Sequence, residues 1–222
     1  MNRYDVIHLP HGIRISNLSP HYNLEIEFNQ PNGVLTFLDI HFSHRIGWHE
    51  PVIISERDVK QYFDYFENLK IINPRLQYLE VGAGLGGFIP FLAIEWGQRL
   101  VSKPIVIDPA DYRLMAHMLR YAKELRLGTD IDKRLDELIK RAEIILDPGK
   151  VCLVNMKLGE ALISTPELQG VSDVVIDLLG PVNYPWTEIS GPKSDDRDIE
   201  NRVLEMEKML LKSNGLHLFK PD

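Results

Sequence analysis

The stretch Leu79-Glu80-Val81-Gly82-Ala83-Gly84-Leu85-Gly86-Gly87 decides the fold. It closes a short apolar run from Leu76 to Val81 and opens an apolar segment from Phe88 to Leu100, the pattern of a strand, a glycine loop and a helix. Glycines let such a loop turn sharply and remove the Cβ atoms that would hold a ligand off the main chain. The first turn of the helix behind them carries N–H groups without intrahelical acceptors. In open α/β sheets this crevice, outside the carboxyl ends of the strands, is where ligands bind.

Beyond the loop, strands and helices alternate. Pro104 to Ile107 predicts a second strand, and Asp111 to Leu127 a helix with Leu114, Met115, Met118, Leu119 and Ala122 on one side. Ile131 to Leu146 predicts a further helix, stopped by Asp147-Pro148-Gly149. Val151 to Val154, Val174 to Ile176 and Leu216 to Phe219 predict three more strands. The helix before the last, about Asp198 to Lys212, is expected to end at Asn214-Gly215 in a left-handed cap. Such alternation implies an open, mostly parallel, doubly wound sheet. Upstream, Leu24, Ile26 and Phe28 alternate with polar residues, Gln30-Pro31-Asn32-Gly33 is turn chemistry, and Val34 to Phe42 returns as a strand. A β-hairpin is therefore expected, with a short strand near Ile13 to Ile15 beside it. Ser55 is the expected cap of a helix carrying Val59, Phe63, Phe66 and Leu69 on one stripe. The expected division is an N-terminal β extension over residues 1–54 and an α/β domain over 55–222.

Composition narrows the classes. The 222 residues carry 25 basic and 32 acidic side chains, a net charge of -7, so no global basic field draws in nucleic acid. One cysteine, Cys152, excludes a disulfide framework within the chain and predicts a reducing, cytoplasmic setting; flanked by Val151 and Leu153, it reads as a small buried residue. The opening MNRYDVIHLPHGIRI lacks the basic and apolar regions of a secretory leader. The most apolar window, Gly84 to Trp96, is shorter than the ~20 residues a membrane helix needs.

Gly82, Gly84 and Gly87 satisfy the dinucleotide fingerprint G-x-G-x-x-G. Glu80, Gly82, Gly84 and Gly86 equally satisfy acidic-x-G-x-G-x-G, and in this the chain resembles the class I S-adenosylmethionine-dependent methyltransferases, a Rossmann-like fold. Glu80 separates the two ligands. A carboxylate at the inner end of a buried strand is costly without a cation, and S-adenosylmethionine brings an ammonium and a sulfonium, whereas a dinucleotide brings a pyrophosphate that Glu80 would repel. The resemblance places the donor against Glu80, Gly82, Ala83, Gly84 and Gly86. It assigns Asp108, with Pro109 after the second strand, to the ribose hydroxyls, a role that NAD enzymes share. It compares Leu158-Gly159-Glu160-Ala161 with a Gly-Asp-Ala segment in which the acid meets the adenine amino group and the next N–H meets the ring. Asp177, after the fourth strand, would orient the acceptor or take its proton, and Tyr184, with Trp186, would line the pocket.

The resemblance spans about Leu76 to Phe219, with an extra helix at Ile131 to Leu146 and a sheet shortened after its fifth strand. That strand would be a bare edge, covered by the N-terminal hairpin or by a second copy in a homodimer. The expected activity is methyl transfer to a small-molecule or protein acceptor. A dinucleotide-binding oxidoreductase, a non-catalytic partner subunit and an aminopropyltransferase-like reading stay open beside it; Asp177-Leu178-Leu179-Gly180 lacks the second acid of the last. Neither a metal nor a membrane is expected: His41, His44, His49 and Glu50 do not share a strand face.

Overall fold

A computed structural model describes residues 4–10, 12–18, 23–29, 34–39, 56–68, 70–85, 87–126, 128–178, 180–181 and 196–219. In chain order the strands are β1 (Tyr4–Leu9), β2 (Gly12–Leu18), β3 (Asn23–Asn29), β4 (Val34–Asp39), β5 (Tyr78–Val81), β6 (Ile105–Ile107), β7 (Cys152–Val154), β8 (Ser172–Asp177) and β9 (Leu211–Phe219). The helices are α1 (Glu56–Asn68), α2 (Phe88–Trp96), α3 (Tyr112–Glu124), α4 (Thr129–Leu146), α5 (Leu158–Ser164) and α6 (Asp196–Leu210). Two compact units emerge, Met1–Ile53 with Tyr112–Ala142, and Ile54–Asp111 with Glu143–Asp222.

In the first unit, β1 to β4 form a four-stranded antiparallel sheet in sequential order. The expected hairpin is its second half: Asn29 opposes Val34 and Leu24 opposes Asp39, while the expected turn at Gln30 to Gly33 lies outside the described residues. The short strand expected near Ile13 is the full-length β2, and β1 was not anticipated. Helix α3 groups with these strands, and Tyr4 on β1 meets it. Its hydroxyl meets His117 Nδ1, and its ring lies 4.9 Å from that of Tyr121. Residues Tyr112–Ala142 therefore depart from the simple division at residue 54.

The second unit holds a five-stranded parallel sheet in the order β7-β6-β5-β8-β9. The chain runs outward from the central β5 through β6 to β7, then crosses back to β8 and β9. Strand alternation sorts the core into two layers. Tyr78, Val106, Val174, Ile176 and Leu218 join Phe63, Phe66, Phe88, Leu92 and Trp96 from α1 and α2. Leu79, Val81, Ile105, Ile107 and Val175 join Leu158, Leu162, Val203 and Leu210 from α5 and α6. Both faces are covered, which is why these strands read as unbroken apolar runs. Helix α1 closes with Lys70 at φ +56°, Ile71 N–H on Phe66 O and Lys70 N–H on Glu67 O, a Schellman stop that no glycine announced.

Three expectations change here. Helix α6 ends at Leu210 and passes directly into β9, and Gly215 is not left-handed. Ser172 pairs with Leu211 and Val174 with Leu216, so 212–215 form a bulge in β9 instead of a helix cap. Cys152 is exposed, because β7 is an edge strand. Among the described residues the antiparallel strands hydrogen-bond only with one another, and none pairs with β9. No helix among the described residues is long and apolar enough to cross a membrane.

Candidate functional site

The carboxyl ends of β5, β6 and β8 bring three buried carboxylates together: Glu80 at 1% exposure, Asp108 at 5% and Asp177 at 0%. Each is met by backbone N–H groups. Glu80 pairs with Val106 and Ile176 and so shares their face, toward α2. Its Oε1 accepts from Phe88 N–H at 2.8 Å and its Oε2 from Ile89 N–H at 2.7 Å, so the carboxylate caps the first turn of α2. Gly87, the residue before α2, makes room for it: a Cβ there would lie 2.9 Å from Glu80 Oε2. Burial pushes the Glu80 carboxyl up to about 7. The two N–H donors oppose that rise, while the charges of Asp177 and Asp108 add to it. No lysine or arginine among the described residues neutralises Glu80.

Asp108 ties the glycine loop to the second strand. Its Oδ2 accepts from Gly84 N–H and its Oδ1 from Ala110 N–H, both at 2.8 Å, turning the chain around the half-buried Pro109. Gly82 N–H donates to Ile107 O at 2.9 Å, and Asn155 Nδ2 donates to the carbonyls of Asp108 and Ala110. Asn155 was missed by sequence reading, since an asparagine after a strand acquires this role only through the fold. Gly82 and Gly84 take φ of +66° and +50°, which L residues rarely adopt. They differ in surroundings. A Cβ on Gly82 would strike Gly180 Cα at 2.5 Å, whereas one on Gly84 meets nothing within 4 Å. The segment after β8 thus lies on Gly82, and the space beside Gly84 is open. Ala83 is buried against α2, and Gly86 lies outside the described residues.

Asp177 fixes that crossing segment. Its Oδ1 accepts from Gly180 N–H at 2.6 Å, and a Cβ on Gly180 would fall 2.2 Å from Val81 O. By alternation along β8, Asp177 belongs to the Val175 face, opposite Glu80 and Ile176. Behind it on the same face, His217 Nε2 on β9 lies 2.6 Å from Glu207 Oε2 on α6. Burial pushes the His217 imidazole down, opposed by Asp177 and reinforced by Lys208. Nothing in the sequence marked either residue: His217 sits in an apolar strand and Glu207 in a charge-rich helix.

The fourth candidate region is organised differently. Leu158-Gly159-Glu160-Ala161 is the first turn of α5, where exposed Glu160 reaches back to Lys157 N–H at 3.4 Å in a capping box. Ala161 is buried, and its N–H donates to Lys157 O at 2.9 Å within the helix. Tyr184 and Trp186 lie outside the described residues, as do His41, His44, His49, Glu50 and Ser55. Among the described residues no three His, Cys, Asp or Glu side chains gather as a metal site would require. The chain matches no family model and no curated sequence.

Proposed function

We propose that the crevice beside Gly84 binds S-adenosylmethionine, and that the protein is a class I, Rossmann-like methyltransferase acting on an unidentified small-molecule or protein acceptor. One observation carries the reading: the Glu80 carboxylate occupies the Phe88 and Ile89 N–H groups that open α2. A dinucleotide docks its pyrophosphate on this helix N-terminus. Here those donors are taken, and the group that takes them is acidic. A ligand with a cationic amino-acid tail gains from the same charge, and its arrival would hold Glu80 in the ionised form that burial resists.

The geometry supports the remaining roles in this reading. The strand order reverses at β5, so the crevice sits at the switch point of the sheet. Asp108, already bridging Gly84 and Ala110, is the acid nearest the loop for a ribose hydroxyl. Asp177 positions the Gly180 segment and does not face the donor side, so its role is to hold the wall that an acceptor would approach. The bound donor supplies a sulfonium-activated methyl group. The chain's own contribution is alignment and exclusion of water, and a general base is needed only for an acceptor that starts protonated.

Equilibrium dialysis of the full chain against labelled S-adenosylmethionine tests the proposal. Saturable uptake that S-adenosylhomocysteine displaces and NAD does not is the expected result. Uptake displaced more readily by NAD or NADP would establish the oxidoreductase reading, and no uptake would leave a non-catalytic partner subunit.

A further inference from the structure

At the opposite end of the parallel sheet, where β5 and β6 begin, Asn73, Pro74, Arg75, Arg99 and Val101 line an open recess of about 690 Å3. Its two walls are fastened together, Val101 N–H donating to Pro74 O at 3.0 Å. Asn73 is held on three sides: its N–H donates to Tyr78 Oη, its carbonyl accepts from the Tyr78 hydroxyl, and its side chain accepts from Arg75 N–H. The Arg99 guanidinium lies 5.5 Å from the centre of the Trp96 ring, a stack that restricts an otherwise mobile side chain.

Lys60, Lys123, Lys150, Lys208 and Lys212 each meet a carboxylate. Arg75 and Arg99 face one recess with no acidic partner among the described residues, although the chain as a whole is acidic. Two arginines lining one recess suit a phosphate, since each guanidinium is a fork that can donate to it in bidentate fashion. Beside them Pro74 and Val101, the latter 73% exposed, give an apolar shelf. We propose that this recess binds a phosphate ester, its phosphate between Arg75 and Arg99 and its apolar body on Pro74 and Val101. The site is independent of the glycine crevice and does not rest on the activity proposed there.

Calorimetric titration of the full chain with phenyl phosphate tests it, with inorganic phosphate and phenol as reference probes. The expected result is one saturable site that prefers phenyl phosphate to either reference. About a tenfold loss is expected in Arg75→Gln and in Arg99→Gln, with Arg99→Lys only partly restoring affinity because it lacks the fork. Glu80→Gln, at the other end of the sheet, should bind phenyl phosphate as the parent does. Both arginines are exposed, so these variants keep their fold, which circular dichroism verifies. Absence of saturable binding, or binding that neither arginine variant weakens, would overturn the proposal.

Discussion

Glu80 near the end of β5 and Glu160 in the first turn of α5 each stand near a glycine, and they do different work. Glu80 is buried, sits under a helix N-terminus and has the Gly87 position cleared for it. Glu160 is exposed and closes a capping box on its own helix. The letters are alike; what differs is desolvation. A carboxylate removed from water must be met by donors or a cation, so its surroundings become specific, whereas an exposed one stabilises a helix end and constrains little else. The contrast teaches that an acidic residue in a glycine motif acquires meaning from the strand that carries it inward.

The largest expected effect tests how tightly the buried end is built. Gly180→Ala would drive a methyl group into Val81 O and should destabilise the protein by about 3 kcal/mol or more, as the midpoint of urea unfolding would report. A smaller loss, under about 1 kcal/mol, would mean that the segment after β8 does not lie on the glycine loop.

Next comes the pH dependence of Glu80. Its carboxyl is held at about 7 against an ordinary 4.5, so the folded state binds this proton more tightly than the unfolded chain does. The contribution is fully present below about 4.5 and is lost as pH rises through about 7, amounting to about 3 kcal/mol across that window. Glu80→Gln should remove this component, so the difference in unfolding free energy between parent and variant should slope over pH 4.5 to 7 and flatten above. Parallel curves would show that Glu80 titrates as an ordinary exposed acid.

Asp108 stands between the extremes. Asp108→Ala should weaken donors with free ribose hydroxyls by about 1–2 kcal/mol while sparing a 2′,3′-blocked analogue, measured by calorimetric competition. Equal loss for both would reduce Asp108 to its bonds with Gly84 and Ala110. The smallest effect belongs to Glu160→Ala. It should cost under about 0.5 kcal/mol in thermal stability and leave donor affinity unchanged. A loss of affinity comparable with that of a Glu80 variant would erase the contrast.

Much of this architecture was legible in the residues. The alternation from Leu76 onward and the apolar runs at Ile105 to Ile107 and Val174 to Ile176 specify a parallel sheet with both faces buried. Glu80 and Asp108 stood out because acids rarely end buried strands without a task. What escaped was set by tertiary geometry. The partners of Glu80 come from the helix eight and nine residues on, and those of Asp177 from a loop whose glycine serves to pass a neighbouring carbonyl. The grouping of α3 with the first sheet rests on contacts between residues far apart in sequence, such as Tyr4 with His117 and Tyr121. The bulge at 212–215 looked like a cap because Asn-Gly suits either, and only the pairing of Val174 with Leu216 distinguishes them.

The central claim is that a carboxylate, by holding the start of α2, turns a dinucleotide-like loop into a receptor for a cationic tail. Paired calorimetric titrations of the parent and Glu80→Gln with S-adenosylhomocysteine and with NADP at pH 8 test it most directly. The account predicts that the parent binds S-adenosylhomocysteine and not NADP, and that the variant loses roughly 1.5–3 kcal/mol of that affinity. Tighter binding of NADP by the parent, or S-adenosylhomocysteine affinity untouched by the substitution, would contradict it.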